Sequence, residues 1–299
     1  MKLDLTEQPL IDRLDYEQLV KKGQFAQWDK EAESMHHRGF CLLSNQTPEH
    51  LGNIRDVIND LEPILSDQLK EWEAGRTGAP RIQDAWKEFK SVRRLAIDPG
   101  ILDLLERLYG RKPFAFQTLN FAVGSQQSYH SDAVHFNSYP QGFMCGVWFA
   151  LQTVEADSGP LHYFSKSHRL PYLSARSLHL ERNQIEAEKH PQVLFEPYWE
   201  EAVRTNSLTS EVLLANRGDI FIWHANLLHG GVKVKNAGLR RWSQVVHYFF
   251  EDCLYTTPML SLNYNQGGAF LRSPLDVETG RERYAPSYWK ELGIRFQRA

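Results

Sequence analysis

The sequence lacks the cysteine patterns that build disulfide frameworks or thiolate zinc sites. Its 299 residues include three cysteines, Cys41, Cys145 and Cys253, which are far apart and form no CxxC motif. Cysteines that are few, odd in number and far apart are typical of buried free thiols in a reducing compartment. We therefore expect neither a disulfide nor a zinc site built from cysteine.

Long apolar runs and a strong charge of one sign are also missing. No apolar stretch approaches the roughly 18 residues that a membrane span needs. The N-terminus, MKLDLTEQPLIDRLD, has no apolar segment of the kind found in secretory signals. The net charge is −3, which argues against a general affinity for nucleic acid or anionic membranes. We expect a cytoplasmic protein that binds neither.

The composition is that of an ordinary globular protein, with 42% hydrophobic and 24% charged residues. Without an internal repeat or an obvious linker, we predict a single domain over 1–299. Residues 1–112 form a mostly helical N-terminal support, because apolar residues recur at three- and four-residue spacing in 25–37 and 50–72. Between these two helices, residues 39–44 are predicted to form a short buried strand.

From residue 113 the pattern changes to short strand-like runs separated by turn residues. These runs are 114–123, 142–153, 161–164, 219–224 and 242–251. They predict a mainly β fold with flanking helices, whose core over 113–254 is a double-stranded β-helix of the jelly-roll, cupin-like kind. The charged run at about 172–211 interrupts this core as a lid-like insertion. Residues 255–299 are predicted to form a C-terminal extension.

The segment Ser128-Tyr-His130-Ser-Asp132 contains the pattern His-x-Asp. In a strand, residues i and i+2 point to the same side, so His130 and Asp132 could bind one metal ion together. The triplet alone is a weak signal, because three-residue patterns occur by chance. A third ligand is available from His229, after the strand-like run at 219–224. Two imidazoles and one carboxylate on one face of an octahedron are typical of iron(II) oxygenases.

The order and spacing of further motifs over roughly 113–250 resemble the phytanoyl-CoA dioxygenase-like family of 2-oxoglutarate oxygenases. Besides His130-Ser-Asp132, the resemblance is carried by Trp148-Phe-Ala-Leu-Gln-Thr-Val154, Ser158-Gly-Pro-Leu161, Ser167-His168, Gly218-Asp-Ile-Phe-Ile-Trp-His224, Leu228-His229-Gly230, Arg240-Arg241 and His247-Tyr248. Two positions depart from the family pattern, and one of them is Gly231, where many relatives have serine after His-Gly. At the other, Lys166 replaces a glycine, which predicts a turn that avoids positive φ.

The resemblance implies an Fe(II)/2-oxoglutarate-dependent dioxygenase. Such an enzyme consumes O2, hydroxylates or otherwise oxidises an unactivated C–H bond of a small-molecule metabolite, and releases succinate and CO2. The implied metal ligands are His130, Asp132 and His229. The alternative is a non-catalytic barrel, or one that binds a metal without 2-oxoglutarate, which acts as a ligand-binding module. The intact ligand set and the paired arginines favour the enzyme.

2-Oxoglutarate has a second carboxylate that needs a planar, bidentate partner, and arginine fits that role better than lysine. Arg240 and Arg241 both lie where the family places this arginine. The distance from His229 favours Arg240, whereas the Arg241-Trp-Ser243 spacing favours Arg241, because Ser243 would lie on the same side and donate its hydroxyl. Asn120 and Trp148 are further candidates for contact with 2-oxoglutarate.

Candidate substrate-binding residues are the weakest part of the prediction. Gln117 lies on the strand that precedes the metal ligands, and Tyr129 adjoins His130. His135 and Asn137 follow the ligand pair and could line the substrate entrance. For each of them, ordinary packing is the competing interpretation.

Overall fold

The computed structural model describes residues 7–263, 268–283 and 296–298. Within these residues the helices are α1 (Tyr16–Lys21), α2 (Asp29–Arg38), α3 (Pro48–Glu73), α4 (Lys90–Ala96), α5 (Pro99–Tyr109), α6 (Arg182–Ala187) and α7 (Glu196–Thr205). The strands are β1 (Phe40–Ser44), β2 (Arg81–Gln83), β3 (Pro113–Phe121), β4 (Asn137–Tyr139), β5 (Met144–Ala150), β6 (Leu161–Phe164), β7 (Ser210–Leu213), β8 (Asp219–His224), β9 (His229–Gly231), β10 (Ser243–Phe250), β11 (Leu254–Thr256), β12 (Ala269–Leu271) and β13 (Phe296–Arg298). Of the helices described, none is both long and apolar enough to cross a membrane.

The N-terminal third is helical, as its periodicity predicts, and α3 is its longest element. Thr47 caps α3 by accepting a hydrogen bond from the backbone N–H of His50 at 3.3 Å. The predicted apolar stripe is buried, with Ile54, Val57 and Leu61 fully covered. α3 therefore packs through one face against the large sheet.

The described strands form three open sheets. The largest has six strands in the order β1-β8-β5-β10-β3-β2, and all its pairs are antiparallel. A three-stranded sheet has the order β7-β6-β9, and a four-stranded sheet the order β13-β12-β11-β4. The prediction of a mainly β fold with flanking helices is confirmed by these elements.

Side-chain alternation in β5 shows how the layers stack. Val147 and Phe149 belong to the same core cluster as the buried face of α3. Trp148 and Ala150, on the opposite face, pack in the same cluster as Tyr163 of β6. The large sheet therefore has helices on one side and the small sheet on the other, and the functional residues described below lie between the two sheets.

The region 172–211 contains α6, α7 and the start of β7. The predicted C-terminal extension is described only in part, because 264–267, 284–295 and 299 lie outside the described residues. The prediction for Lys166 is wrong: its φ is +69°. Its N–H donates to the carbonyl of Arg38 at 2.9 Å. Tertiary contacts thus hold a left-handed conformation that costs a lysine roughly 1–2 kcal/mol.

Candidate metal centre

His130, Asp132 and His229 form a buried cluster between the two facing sheets. One ligand atom from each lies within 4.8 Å of the others, and no other such group of three occurs among the residues searched, 7–263, 268–283 and 296–298. Backbone hydrogen bonds of 2.9 and 3.0 Å join His130 and His229 in an antiparallel bridge. Asp132 begins a short 3-10 turn, 132–134, instead of continuing a strand. His130 is therefore held by the β-bridge to His229, and Asp132 by the 3-10 turn that follows this bridge.

Both histidine rings are oriented by a hydrogen bond from Nδ1 to a backbone carbonyl oxygen two residues earlier. Nδ1 of His130 lies 2.9 Å from the carbonyl oxygen of Ser128, and Nδ1 of His229 lies 3.0 Å from that of Leu227. A carbonyl oxygen can only accept, so each Nδ1 carries the proton. Each Nε2 then presents its lone pair to the cluster, as a metal ligand requires.

The three side chains of the cluster differ in their titration. Burial lowers the pKa of His229 to about 4. Burial lowers the pKa of His130 as well, but the hydrogen bond and the charge of Asp132 outweigh it and hold this pKa above its usual range. Burial opposes the charged form of Asp132, but the neighbouring histidines outweigh it and hold the pKa of this carboxyl well below its usual range. One carboxylate and two imidazoles form the donor set that iron(II) takes in oxygenases.

Two residues outside the predicted site contact one oxygen of Asp132, Oδ2. Trp223 donates its indole N–H to Oδ2 at 2.8 Å, and Nε2 of His247 lies 3.4 Å from the same atom. Oδ2 also lies 3.8 Å from Nε2 of His229, while Oδ1 lies 3.5 Å from Nε2 of His130. Trp223 and His247 both belong to the motifs of the sequence analysis. Their contacts with Asp132 were not predicted, because these contacts depend on the register of neighbouring strands.

The cluster opens into a cavity of about 590 Å³. Its walls come from β2, β3, β5, β10 and the 172–211 insertion. The polar lining residues are Arg81, Gln83, Gln117, Ser125, Gln127, His130, Asp132, His135, Lys189, His190, Gln192, Glu196, His229, Arg241 and His247. This is the volume of a site for a small molecule.

Arg241 is a buried cation in the wall of this cavity. Only 3% of its surface is exposed, and its Nε and Nη1 have no hydrogen-bond partner within the described part of the chain. Its guanidinium lies 5.7 Å from the ring centre of Trp148, which also lines the cavity. Burial lowers the pKa of Arg241 to about 10, so the group remains charged at neutral pH. Nη2 makes a single long contact, 3.5 Å to the carbonyl oxygen of Val123. A buried, charged group with two unsatisfied nitrogens is suited to a carboxylate ligand.

The other residues predicted to contact 2-oxoglutarate lie in different settings. Arg240 is partly exposed and pairs with Glu73. Ser243 is fully buried, and its hydroxyl has no partner among the residues described. Asn120 is absent from the cavity wall and donates to Gln244 at 3.1 Å. Of the four, Arg241 therefore has the geometry most suited to an anionic ligand.

The predicted substrate residues divide into two pairs. Gln117 and His135 line the cavity. Tyr129 and Asn137 are not in its wall. Tyr129 packs on Phe164 with ring centres 4.9 Å apart, and Asn137 accepts hydrogen bonds from the backbone of a turn, at 2.8 Å from Ser138. The latter two residues therefore have structural contacts in place of contact with the cavity.

The insertion covers one side of the cavity through residues 189–196. Nε2 of His135 lies 3.0 Å from Oε1 of Gln192, whose Nε2 donates to Glu196 at 3.2 Å. The carboxylate of Glu196 fixes the orientation of the amide, so His135 must donate to its oxygen. This chain of hydrogen bonds joins the insertion to the turn that carries Asp132.

Residues 35–242 match the profile of the family described as phytanoyl-CoA dioxygenase (PhyH). The chain belongs to this family. The resemblance inferred from the motifs is thereby confirmed, and with it the enzyme class, because the phytanoyl-CoA dioxygenase family consists of 2-oxoglutarate-dependent non-haem iron oxygenases. No curated protein matches the sequence of this chain.

Solved structures share the fold of this phytanoyl-CoA dioxygenase family member at low sequence identity. The non-heme alpha ketoglutarate dependent carbocyclase SnoK from nogalamycin biosynthesis is 16% identical, with a TM-score of 0.59 over 86% of this chain and 94% of that chain. EctD from S. alaskensis with bound Fe is 15% identical, with a TM-score of 0.58 over 91% of this chain and 87% of that chain. The epimerase SnoN in complex with Fe3+, alpha ketoglutarate and nogalamycin RO is 18% identical, with a TM-score of 0.53 over 77% and 86%. These likenesses confirm the predicted fold class.

Proposed function

We propose that this protein is an Fe(II)/2-oxoglutarate-dependent dioxygenase that oxidises an unactivated C–H bond of a small-molecule metabolite. The observation that carries the proposal is the buried guanidinium of Arg241, whose Nε and Nη1 have no partner among the described residues, in the same cavity as His130, Asp132 and His229. A metal-binding module that does not use 2-oxoglutarate has no need of this buried cation. The solved structures of EctD with 2-oxoglutarate and 5-hydroxyectoine and of SnoN with alpha ketoglutarate support the choice of co-substrate.

The metal ion would be held by Nε2 of His130, an oxygen of Asp132 and Nε2 of His229. Their Nδ1 hydrogen bonds to backbone carbonyls keep both rings in the tautomer that a metal needs. When bound, iron(II) supplies the activation of O2 for C–H oxidation. In a hydroxylation, one oxygen atom enters the substrate and the other enters succinate, while 2-oxoglutarate loses CO2.

Arg241 would bind the distal carboxylate of 2-oxoglutarate through one of its two forks, which pair Nη2 with either Nε or Nη1; Nε and Nη1 have no partner among the described residues, and Nη2 lies 3.5 Å from the carbonyl oxygen of Val123. A bidentate pair of this kind is strong because both partners are charged and the cavity has a low dielectric constant. Trp148 would form the wall beside this carboxylate. Ser243, two residues beyond Arg241, would offer its unpaired hydroxyl to the same ligand.

The substrate would occupy the part of the cavity lined by Gln117, His135 and the insertion residues 189–196. A volume of about 590 Å³ shared with 2-oxoglutarate leaves room for a small metabolite. The insertion would exclude water from the reacting carbon by closing over it. The net charge of −3 and the three buried free thiols support a cytoplasmic enzyme that has neither nucleic acid nor membrane as a partner.

The proposal is tested by an anaerobic titration of the metal-free protein with Fe(II) and then 2-oxoglutarate. We expect a visible metal-to-ligand charge-transfer band that requires both additions and is abolished by His130→Ala. Succinate release under air, measured over a panel of metabolites, would then identify the substrate. A well-folded wild-type protein that develops no band would overturn the proposal.

A further inference from the structure

Three residues form one row across the centre of the large sheet. Gly146 of β5 is paired in register with Trp223 of β8 on one side and with His247 of β10 on the other. The side chains at the two ends of this row converge on the same atom, Oδ2 of Asp132, at 2.8 Å from Trp223 and 3.4 Å from His247. The glycine lies between them, on the middle strand.

Gly146 has no side chain because the indole of Trp223 occupies that space. A Cβ at this position would lie 2.3 Å from Cε2 and Cζ2 of Trp223. Such a distance is far below van der Waals contact, so any side chain here would displace the indole. The glycine therefore allows Trp223 to lie across β5 and reach Asp132.

Trp223 donates the hydrogen bond to Oδ2, because an indole nitrogen is always a donor. His247 makes a longer contact through Nε2, and its Nδ1 lies 3.0 Å from Oε1 of Gln117. Both residues are buried, at 1% and 4% exposure, so their side chains have fixed surroundings.

We propose that Trp223 and His247 are positioning residues that fix the orientation of the Asp132 carboxylate at the cluster through their contacts with Oδ2; we call these two contacts the Asp132 clamp. Gly146 is the spacer that makes this clamp possible. The inference rests on the proposed function, since it assumes a metal at the cluster. Its consequence is functional: without these contacts the carboxylate would be free to turn and to bind the metal through both oxygens, filling a position that the bidentate co-substrate and O2 require.

The test uses Co(II) alone, titrated anaerobically into metal-free full-length protein without 2-oxoglutarate. We expect Trp223→Phe, which keeps an aromatic ring but removes the donor, to weaken Co(II) binding about 10- to 100-fold. The visible d–d spectrum of bound Co(II) should also change, because it reports coordination number. His247→Phe should have a smaller effect than Trp223→Phe, because its contact with Oδ2 is longer.

Trp86→Phe is the matched control. Trp86 is also buried and also points its indole N–H at a carboxylate, Asp84 at 3.3 Å, but it does not line the cavity. We expect this variant to bind Co(II) as the wild type does. Gly146→Ala provides an independent route to the same defect, since it displaces the indole without removing the donor.

The outcomes separate the two proposals. Unchanged Co(II) affinity and an unchanged spectrum in folded Trp223→Phe would overturn the clamp and leave the proposed function intact. A wild-type protein that binds no Co(II) would overturn both. If Trp223→Phe fails to fold, the same two measurements on His247→Phe and Gly146→Ala decide the question. Variants that bind Co(II) with the affinity and the spectrum of the wild type would overturn the clamp.

Discussion

Arg240 and Arg241 are adjacent in sequence but lie in opposite environments. Arg240 pairs with Glu73 at the surface, whereas the guanidinium of Arg241 is buried 5.7 Å from the ring of Trp148. The backbone N–H of Arg241 donates to Ala122 at 2.8 Å, which places this segment alongside the end of β3. In extended backbone, neighbouring side chains point to opposite faces, so only one arginine can enter the cavity.

This relationship predicts unequal effects of the same substitution. Arg241→Lys keeps a positive charge but loses the planar fork, and we expect it to weaken 2-oxoglutarate binding roughly 10- to 100-fold, since hydrogen bonds to charged groups contribute about 1.5–3 kcal/mol. Arg240→Lys should change the affinity less than about twofold. The measurement is the anaerobic charge-transfer titration with Fe(II) held saturating. Equal losses in the two variants would contradict the assignment.

Metal binding should stabilise the folded protein. Because the three ligands are assembled only by folding, Co(II) at roughly 100 times its Kd should add about 2.7 kcal/mol to the free energy of unfolding. His229→Ala should show no such gain, because the cluster loses a ligand. Thermal unfolding with Co(II), and again after excess chelator, provides the measurement. A gain of the same size in His229→Ala would place the metal elsewhere.

The chain of hydrogen bonds from His135 through Gln192 to Glu196 should stiffen residues 189–196. Gln192→Met keeps the length of the side chain and removes both bonds. We expect amide hydrogen exchange in 189–196 to become roughly tenfold faster, since a net hydrogen bond contributes about 1 kcal/mol. Gln68→Met, at an exposed position of α3, is the control and should leave this segment unchanged. Identical exchange in wild type and Gln192→Met would show that the chain does not restrain the insertion.

His168 should make the protein less stable in mild acid. Burial, and secondarily the neighbouring His224, lower the pKa of His168 from 6.5 to about 3. Below pH 6.5 the unfolded state binds this proton more readily than the folded state, so stability falls with pH until about pH 3. Between pH 7 and pH 5 the loss from this one group is about 2 kcal/mol.

His168→Gln removes this titration. The decrease in the free energy of unfolding from pH 7 to pH 5 should therefore be smaller in the variant than in wild type by about 2 kcal/mol. Urea unfolding of the chelator-treated proteins at both pH values measures it. The comparison of the two decreases remains valid even if the variant is less stable than wild type at pH 7. Equal decreases in the two proteins would show that His168 titrates freely in the folded state.

The sequence carried enough local pattern to predict many of the elements and to select the candidate metal ligands. The three- and four-residue spacing in 50–72 predicts α3, because helix periodicity is local. His130, Asp132 and His229 could be chosen because their residue types and spacing suit iron and because the surrounding motifs resemble one family. The match of residues 35–242 to the phytanoyl-CoA dioxygenase family confirms that resemblance.

Tertiary structure decided what depends on neighbouring strands. The sequence left Arg240 and Arg241 as alternatives, since one residue of strand register exchanges their faces. It assigned no role to Trp223 and His247, because their convergence on Asp132 arises from pairing across Gly146. It also predicted the wrong backbone conformation for Lys166, which distant contacts hold at positive φ. Composition and local spacing thus determined which residues could do the chemistry, while long-range pairing and burial decided which of them meet.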